Sequence, residues 1–400
     1  MHVPHPQQGA AALAVTLVLF FIATLVAASA QRNHVFELRA SANQYRATQA
    51  FEAAEAGLEW ATAMLNDPRP LDAHCQPGNA DDSSFADRLA VAPTVTATCV
   101  RNDGTWRCNC PAPGEPQVAA PLADDPPAAF SVRVAGGPAP GSLRLVATGC
   151  TRLDGGTCAP EGSASGDAAA RIQQTLGFIP SPTVAPIAAL TVRGSVAAVA
   201  AVGLHNSDTD SGGVAVHAGG GVVAPNARLT TAPGGPVEAA VVQGDQQLAT
   251  LDGARFFASF FGIDKALWRQ QPGVARIACS GDCGQALSQA TLAARHRLLW
   301  IDGDLQLSGD VALGTRERPI VIVASGAVRL NGPVVVHGVL YGASLTWNHA
   351  GGGAIHGAAL SEGDYGGDAS PDFIRDVDVL ATLKRSAGSF ARLPGSWKDF

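Results

Sequence analysis

Eight cysteines carry the clearest chemistry in this 400-residue chain: Cys75, Cys99, Cys108, Cys110, Cys150, Cys158, Cys279 and Cys283. An even count in close sequence pairs suits disulfides formed in an oxidising compartment. Cys150 and Cys158 flank Thr151–Thr157, a hairpin-like loop that a disulfide would staple. Cys99 can pair with Cys108 or Cys110 around Asn102-Asp103-Gly104, leaving Cys75 for the other. Three residues separate Cys279 from Cys283, one more than the thioredoxin-type spacing, so a disulfide is favoured over a redox pair. Zinc is the rival for Cys108-x-Cys110, yet no histidine or second cysteine pair stands at a regular distance.

Carboxylates and imidazoles offer less. Asp302, Asp304 and Asp310 sit near strand ends, and paired carboxylates divide acid and base work when their environments separate their pKa values. Asp beside Gly is also an ordinary turn choice, and that is the reading favoured here. His337 and His356 recur nineteen residues apart within His-Gly-apolar patterns, a possible pair of ligands but not a complete site. Ser207-Asp208-Thr209-Asp210-Ser211-Gly212 has the outline of a calcium loop without its third acidic position or closing glutamate, so a Gly-rich turn is expected. Neither a phosphate-binding Lys loop, a Gly-x-Ser-x-Gly elbow nor a His-Glu-x-x-His pair is present. No enzyme activity, cofactor or metal is expected.

The elements that must position these residues begin at the N-terminus. Ala10–Ala30 contains no charge, and its twenty-one residues would span about 30 Å as a helix, a bilayer core's thickness. Gln31–Leu65 holds one Gly and no Pro, so the helix runs on beyond the lipid. Phe36, Ala40, Ala47, Phe51, Ala54, Leu58, Ala61 and Leu65 fall on a 3–4 spacing, a seam that asks for a partner. Glu52, Glu55 and Glu59 share another face, and Asn66-Asp67-Pro68 stops the helix.

Gln8-Gly9 ahead of the apolar run, with Ala50-Phe51-Glu52-Ala53-Ala54-Glu55-Ala56-Gly57-Leu58-Glu59 after it, resembles the N-terminal domain of PilX-type pilus assembly proteins. The resemblance implies cleavage by a prepilin peptidase between Gly9 and Ala10. It also implies insertion in the inner membrane and packing of the helix against other pilins. Ala14 occupies the fifth mature position, where major pilins carry a glutamate; its loss fits a subunit at a filament end. The leader has no Lys or Arg beside the glycine, and Arg32, Arg39 and Arg46 follow the span, against the usual charge bias.

The rest of the chain reads as β structure. Charged residues are only 15%, while Gly (45) and Pro (26) are abundant, as short strands joined by turns require. The net charge of −7 and the lack of Lys/Arg runs exclude a nucleic-acid partner. Val95–Thr98, Phe130–Val134, Ser142–Val146 and Arg171–Leu176 alternate with period two, predicting an antiparallel sheet. Ile179–Pro186 is a proline-rich joint. Beyond it, Trp300–Leu305, Pro319–Gly326, Val334–Gly342 and Ala354–Leu360 recur at about twenty residues, pointing to parallel β-helix rungs, with a β-sandwich as the alternative. Asp252–Trp268 is the one helix predicted in this half.

The expected architecture is therefore α+β. It comprises a leader (1–9), a transmembrane and pilin-core helix (10–65), a pilin-like sheet (71–180) and a β-rich region (186–400). The expected function is a minor-pilin-like subunit of a type IV pilus, near the tip, with roles in adhesion or twitching motility. A tip pseudopilin of a type II secretion system and a membrane-anchored β-helix polysaccharide hydrolase are the alternatives.

Overall fold

The computed structural model describes residues 8–79, 82–102, 104–111, 128–153, 157–158, 167–348 and 352–400. Helix α1 runs from Gln8 to Asn66, 59 residues or about 90 Å at the helical rise. Pro68 ends it, because proline has no N–H for the helical ladder and its ring clashes with the preceding turn.

Strands β1 (Thr94–Asn102), β2 (Thr105–Asn109), β3 (Ala129–Gly136), β4 (Ser142–Cys150) and β5 (Ala169–Pro180) form an antiparallel sheet in the order β2-β1-β3-β4-β5. The alternating runs seeded β1, β3, β4 and β5; β2 carried no such run and is placed by its antiparallel pairing with β1, Asn102 opposite Thr105. Gly388–Arg392 and Lys398–Asp399, from the far end of the 186–400 stretch, both add to β5. The sheet is thus completed by residues more than two hundred positions later.

Between β5 and those returning strands the chain winds as a parallel β-helix of three strands per turn. One coil consists of Ile320–Ala324, Ala327–Asn331 and the first half of Val334–Gly342. Each pairs in parallel with its equivalents above and below. The bend inside Val334–Gly342 falls at Gly338, whose φ of +147° and approach to the Ile320 carbonyl leave no room for a Cβ, which would sit 1.7 Å from that oxygen. Gly357 bends the next coil the same way. The His-Gly repeat of the sequence is therefore the corner of the coil.

The stacking order is not the chain order. The chain enters mid-stack at Leu190–Val192, climbs to Val241–Val242, then crosses outside the coils. It re-enters at Val274–Ile277 and winds back until Ala359 and Ser361 pair with Leu190 and Val192. Aliphatic side chains such as Leu299, Ile322, Leu330 and Leu340 fill the coil interior, joined by Trp347 and Tyr365. Both connections to the antiparallel sheet leave from the middle of this stack.

The crossing segment is not the single helix expected over Asp252–Trp268. Gly262, at φ +74°, ends Gly253–Phe261, and the Asp264 side chain caps a second helix, Lys265–Arg269. Phe256, Phe257, Phe261 and Trp268 press outward-facing Val321, Val339 and Tyr341 of the coils. A further helix, Val377–Ser386, capped by Asp376, covers the same face; its short, mixed pattern gives no helical signal in the sequence.

Candidate assembly surface

Helix α1 divides near Ala50. Above it, Ala12–Thr48 is solvent-exposed wherever burial is described, and Leu17, Phe20, Phe21, Leu25 and Val26 point in several directions round the helix. A helix apolar all round suits lipid or a packed bundle, not water. Among the described residues it is one helix long and apolar enough to cross a membrane. Gly9 and Ala10 fall in its first turn; residues 1–7 of the expected leader lie outside the described residues.

Below Ala50 the helix lies on the chain's own sheet. Ala54, Leu58, Ala61 and Leu65 are buried with Val132, Leu145 and Ile172. Close approach needs glycine on both sides: a Cβ on Gly149 would stand 1.9 Å from the Ala50 carbonyl oxygen, and one on Gly57 would stand 2.9 Å from the Phe130 ring. Trp60 meets Phe85 edge-on at 5.4 Å between ring centroids. Asn66 closes the contact, its amide donating to the Phe390 carbonyl at 3.0 Å and its carbonyl accepting the Phe390 N–H at 2.8 Å.

The expected seam is therefore corrected in its lower half. Ala54, Leu58 and Leu65 already have an intramolecular partner, because β3–β5 offer them apolar surface within the same chain. Phe36, 70% exposed, and Ala47 remain outside. Phe51 sits at the border, partly buried against Trp397 at 6.4 Å. Glu52, Glu55 and Glu59 face solvent, Glu59 pairing with Arg392 of the returning strand. Arg392 and Trp397 belong to this surface, and no local pattern in the sequence marked them.

The cysteines are joined as Cys75–Cys110, Cys99–Cys108, Cys150–Cys158 and Cys279–Cys283. Cys99 and Cys108 are direct cross-strand partners in the β1–β2 hairpin. Cys75–Cys110 fastens the segment after α1 to the end of β2; Asp154–Gly156 of the Cys150–Cys158 loop lies outside the described residues.

Asp302, Asp304 and Asp208 are each tied to structural partners. Asp302 accepts from Arg269 at 2.7 Å and from the Trp300 indole at 2.8 Å, and these bonds hold its carboxyl below the usual range. Asp304 is held low in the same way by Arg329 and by the Ala327 N–H. Two carboxylates both pushed toward the ionised form lack the divergence that general acid and base roles require. Burial pushes the Asp208 carboxyl up, but N–H groups of its own loop and the Arg375 charge outweigh it. The calcium-like loop is thus an arginine-closed turn. His337 and His356 stack in register, centroids 4.7 Å apart and planes 7° from parallel. Among the described residues no three His, Cys, Asp or Glu side chains gather as a metal would need.

Residues 8–59 match the family model of the PilX N-terminal domain, so the segment carrying α1's exposed half is of PilX type. No curated protein and no solved structure matches the chain.

Proposed function

We propose that this chain is a minor-pilin-like structural subunit of a type IV pilus, cut between Gly9 and Ala10 and held in the inner membrane before assembly. The match of residues 8–59 to the PilX N-terminal family supports a type IV pilus-related, membrane-anchored protein. The observation that carries the assembly role is the exposure of α1 from Ala12 to Thr48 on a helix whose lower half is fixed to a sheet. Lipid covers its uncharged part up to Ala30 first, and neighbouring pilin helices cover the exposed length in the filament. Burying a side chain such as Phe36 is worth about 1.5–3 kcal/mol, enough for several together to hold a subunit.

A place near the tip follows from bulk. The β-helix enlarges the subunit beyond the sheet, and a filament end accommodates such a mass without a neighbour above it. There it is also available for adhesion, or for priming the fibres that drive twitching. The disulfides suit a periplasmic and then external location. The ion-paired states of Asp302 and Asp304 favour a scaffold over a polysaccharide hydrolase.

Mass spectrometry of the membrane-extracted protein tests the reading. Ala10 should be the N-terminal residue, and only where prepilin peptidase is active. A chain beginning after Ala30 would mean an ordinary secretory signal and remove the pilin assignment.

A further inference from the structure

A cavity of about 500 Å³ opens where the antiparallel sheet, the end of α1 and the β-helix meet. Arg297, Arg318 and Arg385 line it, from two coils and from the helix Val377–Ser386. Leu143, Phe178 and Phe390 supply apolar walls. Two acids also line it. Asp67 is already gripped by the Arg69 guanidinium, and Asp87 is the carboxylate opposing both Arg297 and Arg318. Three guanidinium groups against one available carboxylate leave the cavity positive.

Arg297 and Arg318 are half-buried, and like charges so placed are costly unless something answers them; Arg385 is exposed. Burial pushes the Arg297 guanidinium below its ordinary value, and Arg318 adds repulsion; Arg318 is likewise lowered by burial and by Arg295. Arg297 is steadied by its hydrogen bond to Ser386, so its fork is held at the cavity rather than swung into solvent. Guanidinium forks match the paired oxygens of carboxylate and phosphate groups. The volume lies within the range of small-molecule sites, and the mixed walls suit a ligand with one anionic end.

We propose that this junction binds a small oxyanion ligand, a carboxylate or phosphate carried on a compact ring or chain, through Arg297, Arg318 and Arg385. The ligand bridges sheet and β-helix, since Arg297 and Arg318 stand just before the coil strands Leu298–Ile301 and Ile320–Ala324 and Arg385 on the returning helix, while its walls include Leu143 and Phe178 of β4 and β5. This site does not depend on the pilus reading.

The test uses the full chain in detergent micelles, titrated calorimetrically with citrate, glucuronate and pyrophosphate at matched ionic strength. At least one should bind and raise the melting temperature; glucuronate alone would identify a carboxylate sugar, and pyrophosphate alone a phosphate ligand. Arg318→Gln should weaken binding roughly tenfold to hundredfold, the worth of one charge-assisted contact. Asp87→Asn should strengthen it by removing the competing carboxylate. Arg385→Ala, at an exposed position that leaves the fold intact, should weaken binding and carries the test if Arg318→Gln does not fold. No binding of any of the three anions, or unchanged binding in Arg385→Ala together with any folded Arg318→Gln, would overturn the site.

Discussion

Gly149 of β4 passes so close beneath Ala50 of α1 that a side chain there would meet the Ala50 carbonyl oxygen at 1.9 Å and the Ala54 nitrogen at 2.4 Å. This contact sets the point where the helix leaves its own sheet and becomes available to others. Gly149→Val should lift the helix and cost about 1–3 kcal/mol or more, as overpacking of a closed interior does. Thermal unfolding followed by circular dichroism checks it; an unchanged midpoint would mean that the helix is not seated there.

Phe36 and Leu58 should respond in opposite ways to substitution. Phe36→Asp should leave unfolding within about 0.5 kcal/mol of the parent, as surface changes do, while abolishing incorporation into filaments. Leu58, only 3% exposed, should cost roughly 2–5 kcal/mol as Leu58→Ala, through loss of packing against the sheet. Purified filaments and chemical denaturation, run on both variants, separate the two effects. Normal incorporation of Phe36→Asp would show that the exposed half of α1 is not the assembly surface.

His337 gives the β-helix an acid sensitivity. Burial lowers its pKa first, and the His356 charge lowers it further; Asp376 and Glu317 pull upward, and Arg316 pushes down. With the folded pKa below the unfolded one, the unfolded chain takes up the proton more readily. Stability is therefore full above the ordinary imidazole value of 6.5 and declines as pH falls through it toward the folded value. His337→Gln should flatten part of that decline below pH 6.5. A melting temperature that falls equally in parent and variant would assign the sensitivity elsewhere, His296 being another half-buried imidazole with a lowered pKa.

The disulfides should differ in worth by the loops they close. Cys75–Cys110 spans 35 positions and Cys150–Cys158 spans 8. On a chain-entropy account these correspond to about 4 and about 2.5 kcal/mol. Paired Ser substitutions, each measured by denaturant unfolding, should rank in that order. The reverse ranking would mean that loop closure is not what these bonds chiefly contribute.

Much of this was local enough to read from the residues. An uncharged run long enough for a bilayer, a helix free of proline to Asn66 and the alternating strands β1, β3, β4 and β5 all depend on neighbours a few positions apart. So does the His-Gly repeat, because successive coils are separated by about one turn of chain and the corner glycine recurs with it. The apolar spacing from Phe36 to Leu65 declared that the helix needs a partner, since such a face cannot stay in water. It could not name the partner. Leu58 and Leu65 are satisfied by β3–β5 and Phe36 is not, a division set by where Gly149 lets the backbones touch. The order of the coils was equally hidden: Ala359 stacks on Leu190, and interior aliphatic side chains fit many neighbours alike. Arg297, Arg318 and Arg385 are ordinary isolated arginines along the chain. Coil stacking sets Arg297 beside Arg318, and the return of Val377–Ser386 and Gly388–Arg392 toward β5 adds Arg385 and closes the cavity, because burial and long-range pairing, not sequence spacing, decide which charges share it.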